Sequence, residues 1–180
     1  LFHFISTNIY YGSDLHFIDK GAVYLKNYCN FLINSIDESK YYINNLAYIA
    51  ESVMSAIIND KKIFAAGNGG SSAIASYFIY GLNSIKEYFH SKSLLIDLTN
   101  NFSSIIRSIN TDDYKKDFYT NYLKSFDLSD GDIISGISSS GNSKNILNII
   151  RNFPETIKVS ILGFEDGGLI GNEFNEKSTF

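Results

Sequence analysis

The chain has 180 residues, 44% of them hydrophobic and 19% charged, which suits one globular domain with its own core and excludes a disordered or low-complexity segment. A formal charge of -4 without any cluster of Lys or Arg excludes the basic surface that nucleic acid requires. One cysteine, Cys29, rules out an internal disulfide and suits a reducing compartment, and no apolar run approaches the roughly 20 residues of a membrane span. The expectation is a cytoplasmic protein whose partners are neither nucleic acid nor membrane, with Cys29 a small buried apolar residue.

In chain order, Leu1 to Leu15 sustain no period, and residues 1–20 are read as an N-terminal arm ahead of a domain over 21–180. From His16 to Ile36 apolar side chains recur at helical spacing, among them Phe17, Ile18, Leu25 and Leu32. After the polar break Ser35–Ser39, a second stripe of Tyr42, Ile43, Leu46, Ile49, Val53 and Ile57 predicts a helix over 38–59. Strands then alternate with helices: a strand over 62–66, a helix over 71–82, a strand over 93–98, helical pieces over 101–109 and 113–126, a strand over 132–137, a helix over 142–152, a strand over 157–162 and a turn over 163–168. Such alternation predicts an α/β fold, a three-layer α/β/α sandwich on a parallel sheet, with two N-terminal helices ahead of the first strand. Pro154, the single proline, falls between a helix and a strand, where its missing N–H does no harm.

Two strand-to-helix connections carry the chemistry. In the first, an apolar strand runs into Gly67-Asn68-Gly69-Gly70-Ser71. Glycines let the backbone approach a ligand, and the helix that follows offers free N–H groups and a partial positive charge. No Gly-Lys-Ser/Thr follows, so this is not a Walker loop, and the third glycine and acidic partner of a dinucleotide fingerprint are missing. In the second, Ser138-Ser139-Ser140-Gly141-Asn142-Ser143 follows another apolar strand. A helix N-cap needs one serine or asparagine; four serines in six positions exceed that need and can surround a phosphate with hydroxyls and amides. In a parallel sheet both loops emerge at the carboxyl ends of strands, where such sheets bind ligands.

The two loops, with Thr99-Asn100-Asn101-Phe102-Ser103 and a late Glu165-Asp166-Gly167-Gly168 turn, resemble the sugar isomerase (SIS) domain and, within it, the phosphoheptose isomerase group, over roughly Tyr24 to Ile170. The resemblance implies a flavodoxin-like parallel sheet, a sugar phosphate such as sedoheptulose 7-phosphate as the small-molecule partner, and a homo-oligomer, dimer or tetramer, built on the leading helices. It implies that Ser138, Ser139, Ser140 and Ser143 hold phosphate and that Asn68, Gly69, Gly70, Ser71 and Asn101 line the sugar.

Aldose–ketose isomerisation needs a positioned acid and base, or a metal. The resembled enzymes carry a His and, four residues on, a Glu on the helix after the first loop, facing substrate and zinc. Those positions here are Tyr77 and Gly81; an acidic position earlier in that helix is Ile74, and the aspartate of the threonine loop is Asn101. The family's C-terminal strand and helix, with a Gln and a His, are expected to be absent from a chain that ends at Phe180. No cofactor and no metal are therefore expected, and no catalytic residue is assigned. Glu87 and His90, three apart, are the remaining acid–base pair of note and read as a solvated helix end; Asp112, Asp113 and Asp117 read as a helix start. Three functions stay open: a phosphosugar-binding protein without isomerase activity, an isomerase whose site another chain or further sequence completes, and a non-enzymatic oligomeric adaptor.

Overall fold

A computed structural model of the chain describes residues 23–30, 33–34, 43–100, 114–163 and 167–177. The chain divides into two compact units, Leu1–Ala47 and Tyr48–Phe180. In the first, residues 23–30 form a helix (α1) and 33–34 are also helical, within the amphipathic stretch that predicted one. Cys29 is exposed rather than buried, because every described residue of α1 faces solvent. The expected arm lies outside the described residues.

The elements then follow as α2 (Ile43–Ile58), β1 (Ile63–Gly67), α3 (Gly70–Tyr88), β2 (Leu95–Asp97), a 3-10 turn (Leu98–Asn100), α4 (Tyr114–Leu123), β3 (Ile133–Ser138), α5 (Lys144–Asn152), β4 (Ile157–Leu162) and α6 (Gly168–Lys177). The four strands pair in the order β2-β1-β3-β4, all parallel, with Ile63 opposite Leu95 and Ile133, and Ile133 opposite Ile157. Helices cover both faces, as the alternation predicts. Successive side chains of a strand point to opposite faces. Accordingly Ile63 and Ala65 of β1 join Ile133, Ile137 and Val159 beneath Val53, Ala56 and Ile57 of α2 and Ala75, Ile79 and Leu82 of α3. Phe64 and Ala66 join Ile134 under Tyr119 and Leu123 of α4, Ile146, Leu147, Ile149 and Ile150 of α5 and Ile170 of α6. Every residue of β1 and β3 is buried, which is why both read as unbroken apolar or small-residue runs.

Local chemistry explains the differences from the expected boundaries. Helix α3 runs past Leu82 because Ile85 continues its apolar stripe onto the core, and it stops where His90 turns into the left-handed region at φ 51. Strand β2 is shorter than expected at both ends. Ser93 turns its hydroxyl to the Ile57 carbonyl at 3.1 Å, and Asp97 accepts the Thr99 N–H at 2.8 Å, bending the chain into the 3-10 turn. Asn142 and Ser143 stay outside α5, and the helical piece over 101–109 lies outside the described residues. Helix α6 was not predicted: with Gly167, Gly168 and Gly171 in and around its first turn, the sequence reads as a turn.

At the amino end of the sheet, β1 and β3 are fastened by one buried carboxylate. Asp132 Oδ1 accepts the Lys62 N–H at 2.8 Å; its Oδ2 accepts the Ser129 N–H at 2.9 Å and meets Lys62 Nζ at 3.2 Å. Burial alone pushes the Asp132 carboxyl upward, but the Lys62 and Ser129 N–H groups and the Lys62 ammonium outweigh it and hold the group below its ordinary 3.8. A lowered folded-state value means that the ionised group stabilises the fold above the unfolded value and that this contribution is lost as pH falls through the folded value. Stability is therefore expected to fall on acidification below about pH 4, and Asp132→Asn to cost about 1–3 kcal/mol at neutral pH while flattening that acid limb. Urea titrations of both proteins across pH measure this.

Candidate functional site

From β1 the chain goes to one edge of the sheet through β2, and from β3 to the other through β4. The carboxyl ends of β1 and β3 are therefore the topological switch point, where parallel sheets of this kind open a crevice. Gly67 lies opposite Ile137, so the glycine loop and the serine loop leave the sheet side by side.

In the first loop, a Cβ on Gly67 would stand 2.4 Å from the Ser71 carbonyl oxygen: the first turn of α3 folds back onto the strand end, and only glycine admits it. The Tyr119 hydroxyl, buried on α4, donates to the Gly67 carbonyl at 2.8 Å and holds this corner from the opposite layer. Gly69 is the N-cap of α3 at φ 53, with no side-chain capping bond. Ser72 Oγ donates to the Gly69 carbonyl at 2.6 Å, and the Ser71 N–H to the Asn68 carbonyl at 3.0 Å. Asn68, Gly69 and Gly70 are exposed and Ser71 half-buried at the amino end of a 19-residue helix, whose dipole favours an anion there.

The serine loop is not a capping device. Ser143 is the N-cap of α5 but makes no side-chain capping bond; its hydroxyl lies 3.1 Å from Ser138 Oγ instead. Ser138 is buried, and its Oγ accepts the Gly141 N–H at 3.1 Å, so this serine braces the loop from within. Ser140 Oγ accepts the Asn142 N–H at 3.3 Å; Ser139 is exposed, and Ser140 and Ser143 are half-buried. Asn142 serves a different helix, its Oδ1 accepting the Leu169 N–H of α6 at 3.0 Å, while the Ile170 N–H reaches the Gly141 carbonyl at 2.9 Å. The start of α6 is thus laid directly on the serine loop.

The two loops are tied together by amides. Asn68 Nδ2 donates to Asn145 Oδ1 and Asn145 Nδ2 to Asn68 Oδ1, both at 2.8 Å. On the far side of the first loop, Asp97 anchors the turn that leads toward Asn101. Its Oδ1 accepts from the Thr99 N–H and hydroxyl at 2.8 and 2.5 Å, and its Oδ2 from Ser76 Oγ and Asn100 Nδ2 at 2.5 and 2.7 Å. All four lone-pair directions of that carboxylate are used, so Asp97 is an anchor and not a free base. Asn101 itself lies outside the described residues. Sequence reasoning missed Asn145, Tyr119 and Asp97. Asn145 was the most accessible, a polar residue two positions beyond the serine loop; Tyr119 gives no sequence signal, since only tertiary packing brings it to Gly67.

The positions at which the resemblance places zinc ligands do not fit the metal. Tyr77 carries a phenol that is 78% exposed, and Gly81 carries no side chain. Among the described residues no group of three or more His, Cys, Asp or Glu could hold a metal ion. Glu87 is in the last turn of α3, about 25 Å from its amino end at a rise of 1.5 Å per residue, and His90 lies past it. Neither serves the two loops, and both are exposed, as expected of a solvated helix end.

The close seating of α6 gives a stability test. Gly141 is at φ 65, and a Cβ there would lie 1.8 Å from the Gly167 carbonyl oxygen. Gly141→Ala is expected to cost at least about 1–3 kcal/mol, from left-handed strain alone. Gly70→Ala, at the start of α3 with nothing within 4 Å of the new Cβ, is expected to be neutral or slightly stabilising. Urea denaturation of the two variants beside the parent protein measures the contrast.

Comparison with known proteins gives the family and the fold. The family described as the SIS domain matches residues 27–155. A phosphoheptose isomerase of Clostridium acetobutylicum is 34% identical over 157 residues, covering 80% of this chain and 76% of that protein. One of Neisseria meningitidis serogroup C is 30% identical over 135 residues, 74% of this chain and 68% of that protein. Among solved structures, a phosphoheptose isomerase from Neisseria gonorrhoeae superposes with a TM-score of 0.71 at 22% identity, covering 84% of this chain and 79% of that one, and shares the fold. By its parallel sheet, its paired loops and these matches, the chain belongs to the SIS domain family.

Proposed function

We propose that the chain binds a sugar phosphate, sedoheptulose 7-phosphate being the first to test, without isomerising it. The observation that carries this reading is the convergence of the two loops at the β1/β3 switch point, joined by the Asn68–Asn145 amide pair. The phosphate is held at the amino end of α5 by the Ser139, Ser140 and Ser143 hydroxyls and backbone N–H groups, with Ser138 keeping the loop in shape. Asn68, Gly69, Gly70 and Ser71 receive the sugar, and the family resemblance adds Asn101 to them. Moving a proton between adjacent carbons needs an acid and a base in reach of both, and Tyr77 and Gly81 supply neither pair nor metal.

The similarity to proteins named phosphoheptose isomerases favours a second reading, in which another chain or further sequence completes an isomerase site. Ile74, Tyr77 and Tyr80, three apart along α3 and each at least half exposed, support assembly into a homo-oligomer, a dimer or tetramer. The low charge and lone cysteine support a cytoplasmic setting.

Sedoheptulose 7-phosphate at about 100 times its dissociation constant is expected to stabilise the protein by about 2.7 kcal/mol, read as a rise in Tm. Ser140→Ala is expected to abolish most of that rise; an unchanged rise removes Ser140 from the phosphate site. Turnover of the same sugar phosphate, with and without added zinc, separates the two readings: no ketose–aldose conversion is expected, and measurable conversion establishes the second.

A further inference from the structure

The geometry points to Asn145 as the residue that sets the orientation of the Asn68 amide, and so decides which of its atoms the glycine loop presents to a sugar. This role rests on the sugar-phosphate reading of the site.

A primary amide has two chemically opposite ends of nearly the same shape, and a loop asparagine in water samples both orientations. Asn68 follows β1 directly and is exposed, so its own loop does not choose between them. Asn145 makes the choice. Its Oδ1 accepts the Ile146 backbone N–H at 3.1 Å, and a backbone N–H can only donate. That bond fixes the oxygen end of Asn145 and leaves its Nδ2 as the donor toward Asn68 Oδ1. Asn68 must then turn Nδ2 to Asn145 Oδ1, which closes a ring of two amide hydrogen bonds at 2.8 Å each. One Nδ2 hydrogen and one Oδ1 lone pair of Asn68 remain outside the ring, in a fixed arrangement suited to a sugar hydroxyl, which both donates and accepts. The order of control runs from the α5 backbone through Asn145 to Asn68. Because Asn145 stands in the first turn of α5, directly after the serine loop, the phosphate-holding helix start and the sugar-facing amide are set by one element.

Asn145 is a positioning residue in this account, acting through Asn68. The side-chain amide of Asn68, assigned by its loss in Asn68→Ala, is followed by proton–nitrogen correlation spectra without ligand. In Asn145→Ala its two Nδ2 proton resonances are expected to collapse toward those of a free amide, with backbone resonances of the sheet unchanged. Asn145→Ser keeps an acceptor for the Ile146 N–H but cannot reach Asn68, and gives the same collapse should the alanine variant not fold. Sedoheptulose 7-phosphate is expected to bind Asn145→Ala roughly three- to tenfold more weakly, the loss of about one hydrogen bond. The double variant is expected to bind no more weakly than Asn68→Ala alone, since the two residues act in series. Inorganic phosphate, which does not need Asn68, is expected to bind the parent and Asn145→Ala alike. Unchanged Asn68 resonances in both Asn145 variants, or additive losses in the double variant, overturn the assignment. Failure of the parent protein to bind the sugar phosphate overturns the functional reading instead, while the spectra still decide the amide pair.

Discussion

The parallel pairing of β1 with β3 is the constraint on which the site depends. These two strands are distant in sequence, yet their register sets Ile63 against Ile133 and Gly67 against Ile137, so they end level. Burial on both faces enforces that register, because a slip of one residue would exchange the side chains of one core for those of the other. Asp132 adds a polar lock at the opposite end, accepting the N–H of Lys62, the residue just before β1. With the strands level and the connections diverging to opposite edges, two short polar loops leave the sheet side by side.

Each loop combines hydrogen bonds of its own with contacts to another layer. Gly67 is held by the Tyr119 hydroxyl from α4, and the serine loop supports α6 through Asn142 and the Gly141 carbonyl. Close approach of backbone to backbone requires the glycine at 141; the hydroxyls of Ser138 and Ser143 satisfy polar groups that α5 capping leaves alone. Such preorganisation suits anion binding, since donors already ordered lose little entropy when a ligand arrives.

On the proposed reading, binding and turnover are separable. The loops proposed to hold a phosphate lie at strand ends, while Tyr77 and Gly81, where the resembled isomerases carry a His and a Glu, lie on the outer part of α3. On that helix, the inward residues Ala75, Ile79 and Leu82 are fixed by the core, and the outward ones are free to change without disturbing the sheet. Tyr77 and Gly81 are of the outward kind. Residues of that outward face can therefore change while the two loops at the strand ends are kept.

Much of this was legible in the residues alone. The unbroken apolar run at 63–66 marked a buried parallel strand, the alternation of strands with helices marked the layers, and the helical stripe at 49–57 marked part of their cover. What stayed hidden depends on partners far along the chain. The hydroxyl of Tyr119, the four donors on Asp97 and the reciprocal amides of Asn68 and Asn145 have no local pattern, because each bond joins elements that only the fold brings together. Helix α6 was hidden for a related reason: its glycines argue against a helix, and its start is held by Asn142 and Gly141 of another loop. The sequence by itself thus determined the layers, the strands and the residue types of the two loops, since these follow from local periodicity and composition; the tertiary structure decided which loops stand side by side and how their amides pair, since hydrogen bonds across the sheet have no expression in local spacing.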